Sequence, residues 1–245
     1  MQKPELFSQN RYDFSRGCVV QAAGETLWLL PQKAIYWPDA SEPSRNNQAM
    51  AGGTLILSDT HFGKAETFQQ QGIPVPGKGT DDDLLRLHAL ISDLSVTRII
   101  FLGDLFHSTE NSSISKVMKA FDTWRDTHFR KPEMILVMGN HDIMHQETYH
   151  QLGLECVSTL QAGPFMMTHE PPAQDDQTYI AGHLHPSCRI RGRARQTVTL
   201  PCFRVRNNSI IMPAFGSFTG SHTLPDTPGA RFYMITSGSV ISKEQ

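Results

Sequence analysis

Residues 99–107 read IIFLGDLFH, and this stretch decides the fold. Four large apolar residues, from Ile99 to Leu102, form a run with the length and composition of a buried β-strand. A glycine, an aspartate and, three residues later, a histidine follow directly. The stretch therefore predicts a strand of an α/β sheet that ends in polar side chains, at the position where such sheets bind ligands.

The same arrangement recurs at four other places in the chain. In each of them an apolar strand leads directly into aspartate, asparagine or histidine. The junctions are Ser58-Asp59-Thr60-His61, Gly139-Asn140-His141-Asp142, Thr168-His169 and Gly182-His183-Leu184-His185. Because the C-terminal ends of strands in α/β sheets converge on one crevice, we expect these side chains to meet in one place.

Helices and strands alternate in the first half of the chain, and strands dominate the second half. The patterns predict strands at 18–21, 27–30, 34–37, 55–57, 98–102, 134–138, 154–158, 164–168, 178–182, 188–192, 197–205, 209–215 and 231–241. Helices are expected over 63–72, 114–129 and 145–152, and another begins at Thr80, the expected N-cap, with Asp81 to Asp83 filling its first turn. This order predicts an α/β sandwich with a mixed or two-sheet core, in a single domain over 1–245.

Composition excludes several classes of protein. The 22 Lys and Arg residues are balanced by 24 Asp and Glu residues, so overall charge does not indicate a nucleic-acid partner. No apolar run reaches the ~20 residues that cross a membrane. The polar N-terminus has no apolar signal core, and the four cysteines are widely spaced, so we expect a cytoplasmic protein with reduced thiols.

The residue types at the five junctions suit a pair of divalent cations. Carboxylates, an amide oxygen and imidazoles together make a mixed oxygen and nitrogen donor set. Such a set favours Mn, Fe, Zn, Co or Ni over Ca or Mg, which prefer oxygen ligands alone. Gly103 and Gly139 allow the backbone to turn sharply beside the ions.

The ordered motifs D-x-H, G-D-x-x-H, G-N-H-D, a single H and G-H-x-H, over residues 59–185, resemble the calcineurin-like metallophosphoesterase superfamily. The resemblance implies a four-layer α/β/β/α sandwich of two mixed sheets flanked by helices. It also implies two divalent ions, with Mn expected first and Fe, Zn, Ni or Co as alternatives. The implied ligands are Asp59, His61 and His185 for one ion, Asn140, His169 and His183 for the other, and Asp104 as a bridge.

The resemblance further implies two catalytic histidines. His141 is similar to the non-ligand histidine that stabilises the transition state or protonates the leaving oxygen. His107 stands where the protein-phosphatase branch has aspartate, and it is similar to the histidine that lies near the substrate phosphate in the nuclease and phosphodiesterase branches. Asp142 is expected to orient a neighbouring group rather than to bind metal.

A narrower resemblance covers most of the chain. Residues 58–80 (SDTHFGKAETFQQQGIPVPGKGT), 182–186 (GHLHP), 200–203 (LPCF) and 214–220 (AFGSFTG) are similar to the bacterial DNA-ligase-associated metallophosphoesterases, which are DNA-damage-response endonucleases. The resemblance implies cleavage of DNA, single-stranded or flexible, in repair. It also implies a functional link to an ATP-dependent DNA ligase and a helicase.

Two basic features could hold phosphates. Lys64 follows the D-x-H motif, and residues 186–206 contain six arginines without an acidic residue. Alternate spacing places Arg189, Arg191, Arg193 and Arg195 on one face of a strand, and we interpret the first three as phosphate contacts. The alternatives are an exposed lysine at a helix start and a solvated edge strand.

Other functions remain open at this point. One alternative is a small-molecule enzyme, either a phosphodiesterase for nucleotides or cyclic nucleotides or a phosphomonoesterase. Another is a non-catalytic scaffold that keeps the fold. The arginine strip favours a polyanion, because a small substrate needs fewer cations.

Overall fold

The computed structural model describes residues 12–39, 52–75, 79–107, 112–127, 131–173, 177–191 and 196–242. Its main feature is a pair of stacked β-sheets. Strands of the first sheet, in spatial order, are β1 (Cys18–Ala22), β2 (Glu25–Leu30), β3 (Ala34–Pro38), β4 (Gly53–Ser58), β5 (Arg98–Leu102), β6 (Glu133–Val137) and β7 (Glu155–Val157). Pairing is antiparallel from β1 to β4 and parallel from β4 to β7, so the sheet is mixed.

The second sheet is built from the later strands of the chain. They are β8 (Leu160–Ala162), β9 (Phe165–Thr168), β10 (Tyr179–Ala181), β11 (Pro186–Arg191), β12 (Thr197–Arg206), β13 (Ser209–Ile211), β14 (His222–Thr223), β15 (Ala230–Ile235) and β16 (Val240–Ser242). Their order is β14-β11-β12-β13-β10-β9-β8, with β15 paired to β12 and β16 paired to β15. This sheet is also mixed, since β9, β10 and β13 run parallel to one another.

Over the described ranges, four α-helices and a short 3-10 helix (Phe14–Arg16) accompany the sheets. The α-helices are α1 (Lys64–Gln70), α2 (Thr80–Asp93), α3 (Ser112–Asp126) and α4 (Gln146–Gln151). Apolar residues of α2, α3 and α4, such as Leu87, Phe121 and Tyr149, pack on one face of the first sheet. None of the helices in the described part of the chain is long and apolar enough to span a membrane.

The apolar run of β5 explains why the opening stretch is continuous rather than alternating. Ile99 and Phe101 face the helices, whereas Ile100 and Leu102 face the second sheet, and at most 1% of any of these side chains is exposed. A strand covered on both faces gains from apolar residues at every position. The predicted α/β class with two mixed sheets and flanking helices is confirmed.

Several predicted elements differ in detail. The strand expected over 231–241 is a hairpin of β15 and β16, turned by hydrogen bonds between Thr236 and Ser239. Thr80 is the first residue of α2 rather than its N-cap. Its hydroxyl donates to Glu66 and accepts from the N–H of Gly63, so tertiary partners replace the local cap.

Candidate metal centre

The five predicted junctions lie at C-terminal strand ends of both sheets. Asp59, Asp104 and Asn140 follow the parallel strands β4, β5 and β6 of the first sheet. His169 and His183 follow the parallel strands β9 and β10 of the second sheet. The site is therefore formed where the C-terminal ends of strands from the two stacked sheets meet.

Seven predicted ligands form one continuous cluster of contacts. Nε2 of His185 is 3.1 Å from Oδ1 of Asp59, and Nε2 of His169 is 3.0 Å from Oδ1 of Asn140. Nδ1 of His183 lies 3.1 Å from Nε2 of His169. Among the residues that the structure describes, two groups have ligand atoms within 4.8 Å of one another, namely Asp59, His61 and His185, and Asp59, Asp104 and His169.

Asp104 lies between histidines of the two predicted ligand sets. Its Oδ2 is 3.5 Å from Nε2 of His61, and its Oδ1 is 3.6 Å from Nε2 of His169. One carboxylate therefore directs a different oxygen toward each side of the cluster. This arrangement suits the predicted bridge, although Asp59 is the residue common to both close groups.

The backbone of the cluster adopts a conformation that non-glycine residues rarely use. Asp59, His61, Asp104, His183 and His185 have φ angles of 51°, 43°, 53°, 66° and 44°. Such left-handed conformations cost roughly 1–3 kcal/mol each and persist where surrounding contacts impose them. The N–H of His61 donates to the carbonyl of Asp104 at 2.9 Å, and the N–H of His183 donates to Oδ2 of Asp59 at 2.9 Å.

Glycines keep the junctions close together. A Cβ at Gly103, where φ is +76°, would overlap the ring of His169 and lie 2.9 Å from Cα of Gly139. A Cβ at Gly139 would overlap Asp104, and one at Gly182 would overlap Ser58 and lie 2.6 Å from Oδ2 of Asp59. The need for glycine at 103 and 139 was predicted, whereas its need at 182 arises from contact between the two sheets.

Buried polar atoms of the cluster point to a cation. Within the described ranges, Oδ1 of Asp59 and Nδ1 of His61 are buried and have no hydrogen-bond partner. An unsatisfied buried acceptor is costly unless something absent from the protein chain completes it. Burial and the charge of Lys64 lower the pKa of His61 to about 3, so its ring is neutral at pH 7 and can act as a ligand.

The histidine tautomers support the same conclusion. Nδ1 of His185 lies 3.1 Å from the carbonyl oxygen of Gly220, and Nδ1 of His169 lies 2.9 Å from that of Leu102. A carbonyl only accepts, so each Nδ1 must donate, and Nε2 is the ring nitrogen left to bind an ion. That nitrogen of His185 faces Oδ1 of Asp59, so a divalent cation between the two atoms would be held by both.

The same contacts set the charge of Asp59 in the metal-free chain. Burial acts to raise the pKa of Asp59, but the neighbouring His185, His169 and Ser58 outweigh it and hold the pKa below its ordinary value. The carboxylate is therefore charged at neutral pH. Carboxylate oxygens and neutral imidazoles are the donors that Mn, Fe, Zn, Co and Ni accept, so the residues fit a divalent transition metal.

Asp142 is a buried support of the cluster, in agreement with the prediction that it orients neighbouring groups. Its oxygens accept from the N–H groups of Asp104 at 2.7 Å, Leu105 at 2.9 Å and Gly139 at 2.9 Å. These bonds join the turn after β5 to the turn after β6. Burial raises the pKa of Asp142 to about 6.

The two predicted catalytic histidines lie beside the cluster. The ring of His141 is exposed to solvent, and its centroid is 5.4 Å from that of His61 and 6.4 Å from that of His107. Its backbone N–H donates to Oδ1 of Asp104 at 2.9 Å. His107 is partly buried, and burial and Lys64 lower its pKa. Both rings are thus placed at the solvent side of the cluster.

The predicted phosphate contacts occupy two different places. Lys64, at the start of α1, lines a small recess that it shares with His61. Burial lowers its pKa, and Asp104 and Asp59 oppose this shift. Arg189 and Arg191 are exposed on β11, opposite Thr199 and Thr197 of β12.

Arg193, the third predicted arginine contact, lies outside the described residues. Arg189 and Arg191 alternate along β11 and so share one face, as predicted. They lie far along the strand from His185, whereas Lys64 is next to the cluster.

Sequence reasoning missed the residues behind the cluster. Asp83 was explained by the helix start, yet it is 4% exposed and bonds to Ser217, far along the chain. The loop that contains Ser217 also supplies the carbonyl that holds His185. The AFGSFTG segment at 214–220 was the available signal, but the sequence alone does not indicate which residues it contacts.

Comparison with known proteins defines the class. Residues 54–168 match the profile of the calcineurin-like phosphoesterase family. This region of the chain is therefore similar to the calcineurin-like phosphoesterases, a class of hydrolases that act on phosphoesters with divalent metals. No curated protein matches the sequence.

Solved structures extend the comparison beyond the matched region. A nuclease MPE from Pseudomonas putida is 27% identical, with a TM-score of 0.68, over 93% of this chain and 100% of that chain. A protein of unknown function from Aquifex aeolicus is 17% identical, with a TM-score of 0.36, over 55% of this chain and 80% of that one. A zinc-complexed Vps29 from Entamoeba histolytica is 14% identical, with a TM-score of 0.32, over 78% of this chain and 96% of that one.

Proposed function

We propose that this protein is a nuclease that hydrolyses phosphodiester bonds of DNA. The observation that carries the proposal is the likeness to a nuclease over 93% of this chain, at 27% identity and a TM-score of 0.68. The clustered carboxylates and histidines supply the chemistry that such a reaction requires. The motifs at 58–80 and 214–220 support a role in repair beside an ATP-dependent ligase and a helicase. The proposed location is the cytoplasm, on the polar N-terminus and the widely spaced cysteines.

The proposed cofactor is a pair of divalent ions, with Mn expected first. When bound, such a pair activates water and stabilises charge on the phosphoryl oxygens. Asp59, His61 and His185 would hold one ion, and Asn140, His169 and His183 the other. Asp104 would bridge them, because its two oxygens face His61 and His169.

His141 is the proposed proton donor to the leaving oxygen. Its ring is exposed beside the cluster, so a substrate can approach it, and its backbone is held by Asp104 at 2.9 Å. General acid catalysis of this kind contributes about 10²–10⁴-fold to the rate. His107, 6.4 Å away between ring centroids, would contact the same phosphate.

Basic side chains would hold the rest of the nucleic acid. Lys64 is close enough to His61 to contact the reacting phosphate as a point charge. With a rise of ~3.3 Å per residue, Arg189 and Arg191 lie roughly 13 and 20 Å along β11 from His185. They would therefore contact phosphates distant from the one that is cleaved.

A substrate panel tests the proposal. The protein with Mn²⁺ would be assayed on single-stranded and duplex DNA, 2′,3′-cyclic nucleotides and p-nitrophenyl phosphate. Cleavage of DNA is expected, and Arg189→Ala with Arg191→Ala should flatten the dependence of its log KM on log salt by about 1–2 units. The same pair should leave hydrolysis of bis-p-nitrophenyl phosphate unchanged.

Other outcomes would replace the proposal. Hydrolysis of the cyclic nucleotides or the monoester alone would indicate a small-molecule phosphoesterase. Failure to bind Mn²⁺ or to hydrolyse any of these substrates would indicate a non-catalytic scaffold.

A further inference from the structure

The loop formed by residues 215–220, here called the site loop, contacts both sides of one predicted metal position. The N–H of Phe215 donates to the carbonyl of Ser58 at 2.7 Å, and the N–H of Gly216 donates to that of Asp59 at 3.2 Å. At its other end, the Gly220 carbonyl accepts from Nδ1 of His185 at 3.1 Å. The site loop therefore connects the strand end that carries Asp59 to the ring of His185.

Helix α2 fixes this loop through an ion pair between buried Asp83 and partly buried Arg86. Asp83 accepts from the N–H of Ser217 at 3.0 Å and from its hydroxyl at 2.5 Å. Arg86 lies 3.0 Å from Asp83, donates to the carbonyl of Phe215 and to Oγ of Ser217, and stacks 4.1 Å above the Phe215 ring. Charge-assisted bonds with this geometry hold a loop more firmly than neutral ones.

The role of Asp83 goes beyond the helix dipole. Asp81 occupies the same helical turn and is exposed, so the dipole accounts for it. Asp83 is buried, and both of its oxygens accept from the site loop. Within the loop, the hydroxyl of Thr219 donates to the Gly216 carbonyl at 2.8 Å, which links the clamped half to the half that ends at Gly220.

We propose that Asp83 and Arg86 are positioning residues for the metal ligand His185, acting through the site loop. A carbonyl that accepts from Nδ1 fixes the tautomer and aims Nε2 at the ion. The position of the Gly220 carbonyl depends on the loop, and the loop depends on the ion pair. The inference rests on the proposed ligand set, but it does not depend on DNA as the substrate.

The test measures metal affinity rather than activity. Metal-free full-length protein would be titrated with Mn²⁺, and free Mn²⁺ would be counted by electron paramagnetic resonance. Asp83→Ala should weaken the affinity for one of the two ions about 10–100-fold and leave the affinity for the other unchanged. This is the range found when partners of ligating histidines are removed. Asp81→Ala is the matched control and should bind both ions as the wild type does.

A double-mutant cycle separates positioning from general destabilisation. His185→Ala should weaken the affinity for the same ion. Adding Asp83→Ala to this variant should cause no further loss of affinity, because both residues act through one ligand. Equal loss at both ions, or an additive loss in the double variant, would overturn the inference. The inference would also be overturned if both Mn²⁺ affinities of Asp83→Ala lay within twofold of the wild-type values.

Ser217→Ala gives the same test if Asp83→Ala does not fold. It removes the two hydroxyl bonds, to Asp83 and from Arg86, and keeps the backbone bond to Asp83. A selective loss of about threefold or more at the His185 ion is expected, and unchanged affinities would overturn the inference. A wild-type protein that binds no Mn²⁺ would overturn the proposed function as well. Equal affinities in wild type and variants would overturn this inference alone.

Discussion

The Nε2 atom of His185 lies 3.1 Å from the Oδ1 atom of Asp59, although the two residues follow strands of different sheets. An ion held by both would join the sheets and stabilise the fold by mass action, by about 2.7 kcal/mol at one hundred times its Kd. We expect Mn²⁺ to raise the melting temperature of the wild type and EDTA to reverse the rise.

Two variants locate this effect. His185→Ala should reduce the Mn²⁺-dependent shift, whereas His150→Ala, at an exposed histidine of α4, should keep it. An equal shift in both variants would mean that the ion binds elsewhere.

Asp104→Ala should lose both ions. Its carboxylate faces histidines of both predicted ligand sets, at 3.5 Å from His61 and 3.6 Å from His169. Elemental analysis after dialysis should find less than one tenth of the wild-type metal in this variant and full occupancy in Asp81→Ala. Retained stoichiometry in Asp104→Ala would contradict the bridging role.

His141→Ala should keep metal and lose rate. If its ring protonates the leaving oxygen, kcat on DNA should fall about 10²–10⁴-fold. The loss should be much smaller on bis-p-nitrophenyl phosphate, whose leaving group needs no proton. Comparable losses on the two substrates would exclude a proton-donor role and favour transition-state stabilisation.

Gly103→Ala should destabilise the fold more than a positive φ alone requires. Gly229 has a similar φ, +79° against +76°, but no atom lies within 4 Å of a Cβ added there. Gly229→Ala should therefore cost about 1–2 kcal/mol, and Gly103→Ala at least about 2 kcal/mol more, because it overlaps His169. Urea unfolding of both variants measures the difference, and equal costs would show that the centre can expand.

Lys33 should make the free energy of unfolding rise with pH in the alkaline range. Burial and the charge of Arg86 lower its pKa to about 8 from 10.5, against the opposing effect of Asp83. Between these values the unfolded chain binds more protons than the folded chain, so this group makes stability rise with pH.

The variant Lys33→Met tests that sign. At pH 7 it should raise the free energy of unfolding by about 1–3 kcal/mol, and the gain should disappear as the pH approaches 10.5. Lys116→Met, at an exposed position of α3, is the control and should show no such pH-dependent gain. A constant difference between Lys33→Met and wild type across this range would rule out the burial effect.

Much of the candidate site could be predicted from the sequence because its signals are local. At Asp59, Asp104 and His183 a buried strand and a polar residue are adjacent in the chain, and the strand order brings them together. The support from Asp142 was also predictable, since it belongs to the same turn as Asn140.

The rest depends on contacts between distant segments. Nothing near Asp83 in the chain indicates that its partner is Ser217, and a helix start explains an aspartate there equally well. Thr80 has the chemistry of an N-cap, but bonds to Glu66 and Gly63 replace that role. Local propensity favours one structure in such cases, and tertiary packing selects another.

The most direct test of the paired-ion centre is anomalous diffraction from crystals grown with Mn²⁺. Two peaks are expected roughly 3.5–4 Å apart, one beside Asp59, His61 and His185 and the other beside Asn140, His169 and His183, with Asp104 between them. A single peak, or peaks away from Asp104, would contradict the account.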